Sequence, residues 1–294
     1  MPLESLRRYL LVELGWSAAT TKITLRRITS MMRRGLPLQQ FSRESGAYWL
    51  AERLTNGISP DAYNNDAKAL NAILRWRHGA EAQTFRLKRR PKSHYKFLEP
   101  AQVEILLQYR HHDAEIHRLR RALTLWALKS GMRTSEIAAM NIEDLDPKQS
   151  RFYVRQPAKR GPRRWLPIES WIWSERRALK AWLRHRPIPP DDPTALWTTT
   201  FSPQANRTTT ARRLTGDNVR VAMNRVGQAA GIPLNPTITR HTRATELARA
   251  GWGILYIKTY LGHASVKSTE IYAAVTGEDV ETMMRRRPGR DFYQ

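Results

Sequence analysis

The chain has 294 residues, no cysteine, and an excess of 24 positive charges, from 50 Lys and Arg against 26 Asp and Glu. Disulfides, a cysteine-ligated zinc finger, an iron–sulfur cluster and a thiol nucleophile are excluded, and no stretch approaches the roughly 20 apolar residues of a membrane span. Arginine supplies 39 of the cations. It forks onto phosphate where lysine offers a point charge, so a polyanionic partner is expected, nucleic acid first.

Residues 1–85 read as four short helices. Leu3, Leu6, Leu10 and Leu14 recur at helical spacing before Gly15. Ser17 caps a second helix running to Arg34, with Ile23, Ile28 and Met31 on its buried side. Residues 43–55 supply Tyr48, Leu50 and Leu54 to a third. Ser59-Pro60-Asp61 opens a fourth, with the stripe Tyr63, Ala67, Leu70, Ile73 and Leu74. The run 86–96 holds six bases and a proline and reads as an exposed linker. Helices then follow from near Pro100 and over roughly 115–130, before Gly131. Segments 151–156 and 164–168 are β-like around the basic turn Ala158-Lys159-Arg160-Gly161-Pro162-Arg163, predicting a hairpin or small sheet. Further helices are expected at 174–186, 216–230 and 240–250. Trp165, Trp171, Trp173, Trp182 and Trp197 are expected to pack in the core or on the hairpin. The fold class is mainly α with a small β-sheet. It comprises a helical bundle over 1–90, a basic linker over 91–97, an α+β unit over 98–276 and a tail over 277–294.

The usual catalysts are missing. There is no phosphate loop of the GxxxxGK[ST] type and no carboxylate pair with two-metal spacing. Asp144 and Asp146 read as surface turn acids. What remains is basic and aromatic. Arg133 lies between two helices, with Thr134 or Ser135 to cap the second. Arg240-His241-Thr242 opens another helix, Leu261-Gly262-His263 makes a tight turn, and Tyr272 follows. Two guanidiniums, a hairpin lysine, a histidine and a tyrosine can carry out phosphoryl transfer without a metal. The arginines would hold the non-bridging oxygens and the tyrosine would be the covalent nucleophile. Composition alone leaves open an enzyme on DNA, a passive DNA binder and an RNA binder.

Arg240 through Leu247, then Gly251, Leu261-Gly262-His263 and Ser268-Thr269-Glu270-Ile271-Tyr272, resemble the second signature box of the tyrosine site-specific recombinases. Lys129 through Ile137 resembles the first box, and Glu143-Asp144-Leu145-Asp146 is similar to the acidic segment after it. The size is that of compact Xer-like recombinases.

The resemblance implies a role for each matching residue. Arg133 and Arg240 bind phosphate, and Lys159 protonates the leaving 5′ oxygen. His263 hydrogen-bonds the phosphate, and Tyr272 makes a 3′-phosphotyrosyl bond. Glu136 orients the first arginine. The family's Gly-Lys-Gly is Ala158-Lys159-Arg160 here, so Arg160 and Arg163 are competitors for the lysine's place. Thr237 stands where the family usually has histidine. A hydroxyl donates a hydrogen bond but does not shuttle a proton near neutral pH. The neighbouring His241 is a position where the family often has histidine anyway, so it supports Arg240 without replacing the missing residue. The favoured reading is that the chemistry tolerates Thr237. Arg89, Arg90, Lys92, Arg160, Arg163, Arg207, Arg212 and Arg213 are expected on the DNA backbone.

By the same resemblance the 1–90 bundle is a core-binding domain, and the two domains clamp a duplex. No cofactor or metal is needed. The partners are double-stranded DNA with specific recombination sites and further copies of the chain, a tetramer exchanging strands through a Holliday junction. The 277–294 tail docks between protomers. The setting is cytoplasmic, with no membrane. Two alternatives stay open: a type IB topoisomerase-like relaxing enzyme, and a catalytically weakened DNA-binding protein on a recombinase scaffold.

Overall fold

Serine caps set out the N-terminal helices in the computed structural model, which describes residues 2–38, 40–88, 96–158, 161–168, 173–199 and 210–263 with Ser265 and Thr269. The chain divides into two compact units, Met1–His94 and Tyr95–Gln294, and the divide falls within the basic run. The first unit holds α1 (Pro2–Val12), α2 (Ala18–Met32), α3 (Arg43–Thr55) and α4 (Pro60–His78). The hydroxyls of Ser17, Ser42 and Ser59 accept from N–H groups of the first turns of α2, α3 and α4, satisfying donors that the helix itself leaves unpaired.

Leu6, Leu10, Ile28, Leu70 and Ile73 form the centre of this unit's core. Ile23 does not join them, contrary to expectation, and is 63% exposed. The buried stripe of α2 runs Thr21, Ile28, Met31, and a residue two positions from Thr21 points to roughly the opposite side. Tyr48 is likewise exposed, while Trp49 and Leu50 face inward. A buried charge ties the bundle together. Asp66 on α4 accepts from Arg27 of α2 at 2.6 Å and from Arg53 of α3 at 3.3 Å.

The second unit contains α5 (Pro100–Leu107), α6 (Ala114–Ser130), α7 (Thr134–Ala138) and a 3-10 turn (Ile142–Asp144). After them come β1 (Leu145–Asp146), β2 (Arg151–Val154), β3 (Arg164–Pro167), α8 (Trp173–His185), α9 (Gly216–Ala229), α10 (Pro236–Arg249) and α11 (Ile254–Leu261). Helix α6 is buried on nearly every side and packs against α8, α9 and α10. Its Trp126 meets Phe152 of the sheet and Trp197 at ring-centroid distances of 4.8 and 5.8 Å. Trp182 stacks on Trp197 and donates its indole N–H to the Leu196 carbonyl at 2.9 Å. Trp165 is on the outer face of the sheet, where the Arg151 guanidinium covers it at 4.1 Å. Trp171 and the Trp173 side chain lie outside the described residues.

The sheet is antiparallel in the order β1-β2-β3, with Phe152 opposite Leu166 and Val154 opposite Arg164. These four residues share the buried face. Two expectations need correcting. Asp144 is 1% exposed rather than a surface acid, because its carboxylate accepts from the Asn141 N–H and from Arg155. The helix bearing Arg240 starts at Pro236, not at Arg240. Asn235 caps it, and Pro takes the first helical position. The 277–294 tail lies outside the described residues. Among those described, no helix is long and apolar enough to cross a membrane.

Candidate active site

Gly131 ends α6 in the left-handed conformation, with φ of 59°. A Cβ there would lie 2.9 Å from Leu261 and 3.2 Å from Arg243, so the chain leaves α6 pressed against α10 and α11. Two residues later it delivers Arg133. Neither Thr134 nor Ser135 caps α7, as the sequence had suggested. Glu136 does so by reaching back to the Arg133 N–H at 3.0 Å. Its other oxygen accepts from Arg133 Nη1 at 3.1 Å and from the Ala158 N–H at 3.1 Å. One buried carboxylate thus fixes Arg133 and the start of the β2–β3 loop together.

Arg240 reaches the same place from α10. It donates Nη1 to the Gly131 carbonyl at 2.9 Å, Nη2 to the Leu261 carbonyl at 2.7 Å and Nε to His263 Nε2 at 3.3 Å. Because Arg240 Nε is a donor only, His263 Nε2 accepts, and Nδ1 carries the proton toward Thr269 Oγ1 at 2.8 Å. Burial, then the charges of Arg240 and Arg133, push the His263 pKa from 6.5 down to about 3. The imidazole is therefore neutral at physiological pH. His241 is partly buried, and burial followed by the Arg240 charge lowers its pKa too. Thr237 is exposed in the first turn of α10, one turn before Arg240.

The fold therefore brings Arg133 and Glu136, Arg240, and His263 together from three separate stretches of chain. Lys159, Arg160, Arg89, Arg90, Lys92, Arg207 and Tyr272 lie outside the described residues. Arg163 and Arg212 are exposed. Arg213 is a correction: its five N–H donors all serve the fold. They go to both Asp192 oxygens, Asn141 Oδ1 and the carbonyls of Ala138 and Met140, which leaves none for a phosphate.

Sequence reading missed two features. Arg164 is buried beside the cluster and donates to the carbonyls of Tyr260 at 2.8 Å and Leu261 at 3.0 Å. The signal was the two-residue alternation of β3, since an inward Leu166 implies an inward Arg164. A cleft of about 1020 Å³ is also lined by Arg110, Arg118 and Arg121 from α6 and the segment before it, and by Arg177, Lys180 and Arg184 of α8. The spacing of the three α8 cations places them on one helix face.

Two arginines and a neutral imidazole grouped around a helix end, on a helical unit with a small sheet, form a site suited to binding a phosphoryl group. Residues 96–278 match the Phage integrase family. The chain belongs to that family and is a tyrosine recombinase, an enzyme of DNA recombination. The tyrosine recombinase XerA of Thermococcus kodakarensis is 30% identical over 258 residues, 87% of this chain and 86% of that one. XerA of Pyrococcus furiosus is 29% identical over 239 residues, covering 81% and 78%. The fold is shared with the Tn1549 transposon integrase in complex with transposon right end DNA, at a TM-score of 0.69 and 17% identity, covering 98% and 99% of the two chains. It is also shared with a lambda integrase dimer bound to a core site, at a TM-score of 0.66 and 18% identity, covering 92% and 94%.

Proposed function

We propose that the protein cuts and rejoins duplex DNA at specific sites through a 3′-phosphotyrosyl intermediate. The observation that carries this reading is the convergence of Arg133 and Arg240 on the last carbonyls of α11, beside a neutral His263. On DNA, the two guanidiniums would hold the non-bridging oxygens of one phosphate and stabilise charge as it grows in the transition state. The Tyr272 hydroxyl gives up its proton to solvent, and its oxygen bonds to phosphorus as the bond to the 5′ oxygen breaks. Lys159 gives that oxygen its proton, in a loop whose start Glu136 holds. The products are a phosphotyrosine and a free 5′-hydroxyl. A 5′-hydroxyl from a partner strand reverses the step, so joining needs no ATP.

Two pairs of protomers would pass strands through a Holliday junction as a tetramer. Duplex DNA as the substrate is supported by the DNA complexes of the integrases that share the fold. The unit Met1–His94 is the proposed core-binding domain. Arg163 and Arg212 are proposed backbone contacts, with Arg89, Arg90, Lys92, Arg160 and Arg207. Thr237 donates a hydrogen bond to phosphate without moving a proton.

The test uses a duplex selected from a random-sequence pool by binding to the full-length protein, then nicked near each phosphate in turn. Wild type is expected to form a covalent adduct at one position. Arg133→Ala and Arg240→Ala should each slow it by about 10²–10³-fold. An adduct formed by Arg133→Ala at the wild-type rate would overturn the assignment. Equal adducts on duplexes of any sequence would point to site-independent relaxation instead.

A further inference from the structure

The last turn of a helix leaves carbonyls without intrahelical partners, and they carry the negative end of the helix dipole. In α11 these carbonyls can be followed one by one. The N–H of Gly262 donates to Thr259 and that of His263 to Lys258, a left-handed cap that fixes where the His263 backbone goes. The next carbonyls face arginines. Tyr260 accepts from Arg164, Leu261 from both Arg164 and Arg240, and Gly262 from Arg133 at 3.5 Å. Two of these arginines belong to the proposed phosphate site. Arg164 has no part in that reading.

Arg164 does not reach substrate itself. Its side chain is 7% exposed, and its remaining nitrogen, Nη1, faces the Pro162 carbonyl at 3.4 Å. It occupies an inward register position on β3, opposite Val154, where an apolar residue would pack without the cost of desolvating a guanidinium. Two further features accommodate it. Glu136 lies 3.8 Å from Arg164 Nη2 and offsets its charge. Position 262 has no side chain, and a Cβ there would sit 2.5 Å from Arg164 Nη1. The hairpin stem meets the same turn, since a Cβ on Gly161 would lie 3.2 Å from the Gly262 carbonyl.

We propose that Arg164 is a positioning residue for DNA cleavage: it clamps the end of α11 to the β2–β3 hairpin, so that His263 and Arg240 are held in register with Arg133 and the loop of Lys159. The inference rests on the recombinase chemistry proposed above. Arg164 acts on the reaction only through these neighbours. Removing it should therefore spoil the alignment of the reacting groups while leaving the DNA-gripping surface intact. Displacements of about 1 Å in such sites cost about a hundredfold in rate.

The experiment compares wild type, Arg164→Met and Arg164→Lys as full-length proteins on the selected, nicked duplex. It measures the dissociation constant, the single-turnover adduct rate at saturating DNA, and the thermal midpoint. Arg164→Met should slow adduct formation by about a hundredfold and leave DNA affinity within about threefold. Arg164→Lys, which keeps a cation at the carbonyls, should recover much of the rate. Arg164→Met reacting at the wild-type rate when saturated overturns the proposal. So does a parallel loss of affinity, midpoint and rate that Arg164→Lys does not repair, which marks a merely structural arginine. If Arg164→Met does not fold, the rate of Arg164→Lys decides. A folded, DNA-bound Arg164→Lys no faster than Arg133→Ala rejects the clamp, because the cation is still present. Wild type forming no adduct at all overturns the underlying chemistry, a result separable from an undisturbed Arg164→Met.

Discussion

Among the described residues, His263 sits beside cations and no carboxylate shifts its pKa, so its protonation is a stability question as well as a chemical one. Burial and the arginines hold its pKa near 3, against 6.5 when unfolded. The unfolded chain binds the extra proton between those values. The stability from neutral His263 is therefore complete above pH 6.5 or so and is lost as pH falls toward 3, with a slope of up to about 1.4 kcal/mol per pH unit. Urea unfolding of His263→Gln should show that slope reduced by about one proton between about pH 4 and 6; an unchanged slope would mean the imidazole is not held neutral. His263, Arg133 and Arg240 were legible in the sequence because their spacing matched a family pattern, and Glu136 with them. Arg164, Asp66 and Arg213 were not. A charged side chain reads as solvated or as DNA-facing until its partners, distant in sequence, are known. For Arg213 those partners are carbonyls and a carboxylate of its own fold.

At the scale of elements, the site is built from the ends of helices. Gly131 caps the end of α6, Arg133 stands at the cap position before α7, and Gly262 caps the end of α11. The first of these ends was readable from its glycine, whereas α11 was not expected and only the turn at Leu261-Gly262-His263 was read. The α10 start was misplaced at Arg240, although Asn235-Pro236 is a cap followed by a helix-starting proline. Gly262 carries two constraints at once, a φ of 67° and the approach of the Arg164 guanidinium. Gly262→Ala should therefore cost about 1–3 kcal/mol and slow adduct formation together, read by thermal melting and the adduct rate. A variant as stable and as fast as wild type would show that the turn has slack. Ser17 and Ser59 show the easier side of sequence reading, since local caps need no distant partner.

At the scale of the molecule, two cores fold around different devices. The second is held by tryptophans around α6, the first by apolar stripes and the Asp66 ion pairs. Asp66→Asn leaves Arg27 and Arg53 without their carboxylate and should destabilise the first unit by about 1–3 kcal/mol. Hydrogen exchange should then quicken in residues 2–88 and stay unchanged in 96–263. Faster exchange throughout would mean that the units do not fold around separate cores. The net positive charge of the chain is expected to set DNA affinity and its sensitivity to salt, whereas the chemistry is assigned to a few residues. The most direct test of that assignment is the covalent adduct itself. Full-length wild type and Tyr272→Phe are incubated with the nicked, selected duplex in EDTA, denatured, and digested for mass spectrometry. The account predicts a wild-type adduct carrying a 3′-phosphate on the peptide containing Tyr272, and none from Tyr272→Phe. A Tyr272→Phe adduct, or one mapped to another residue, would contradict it.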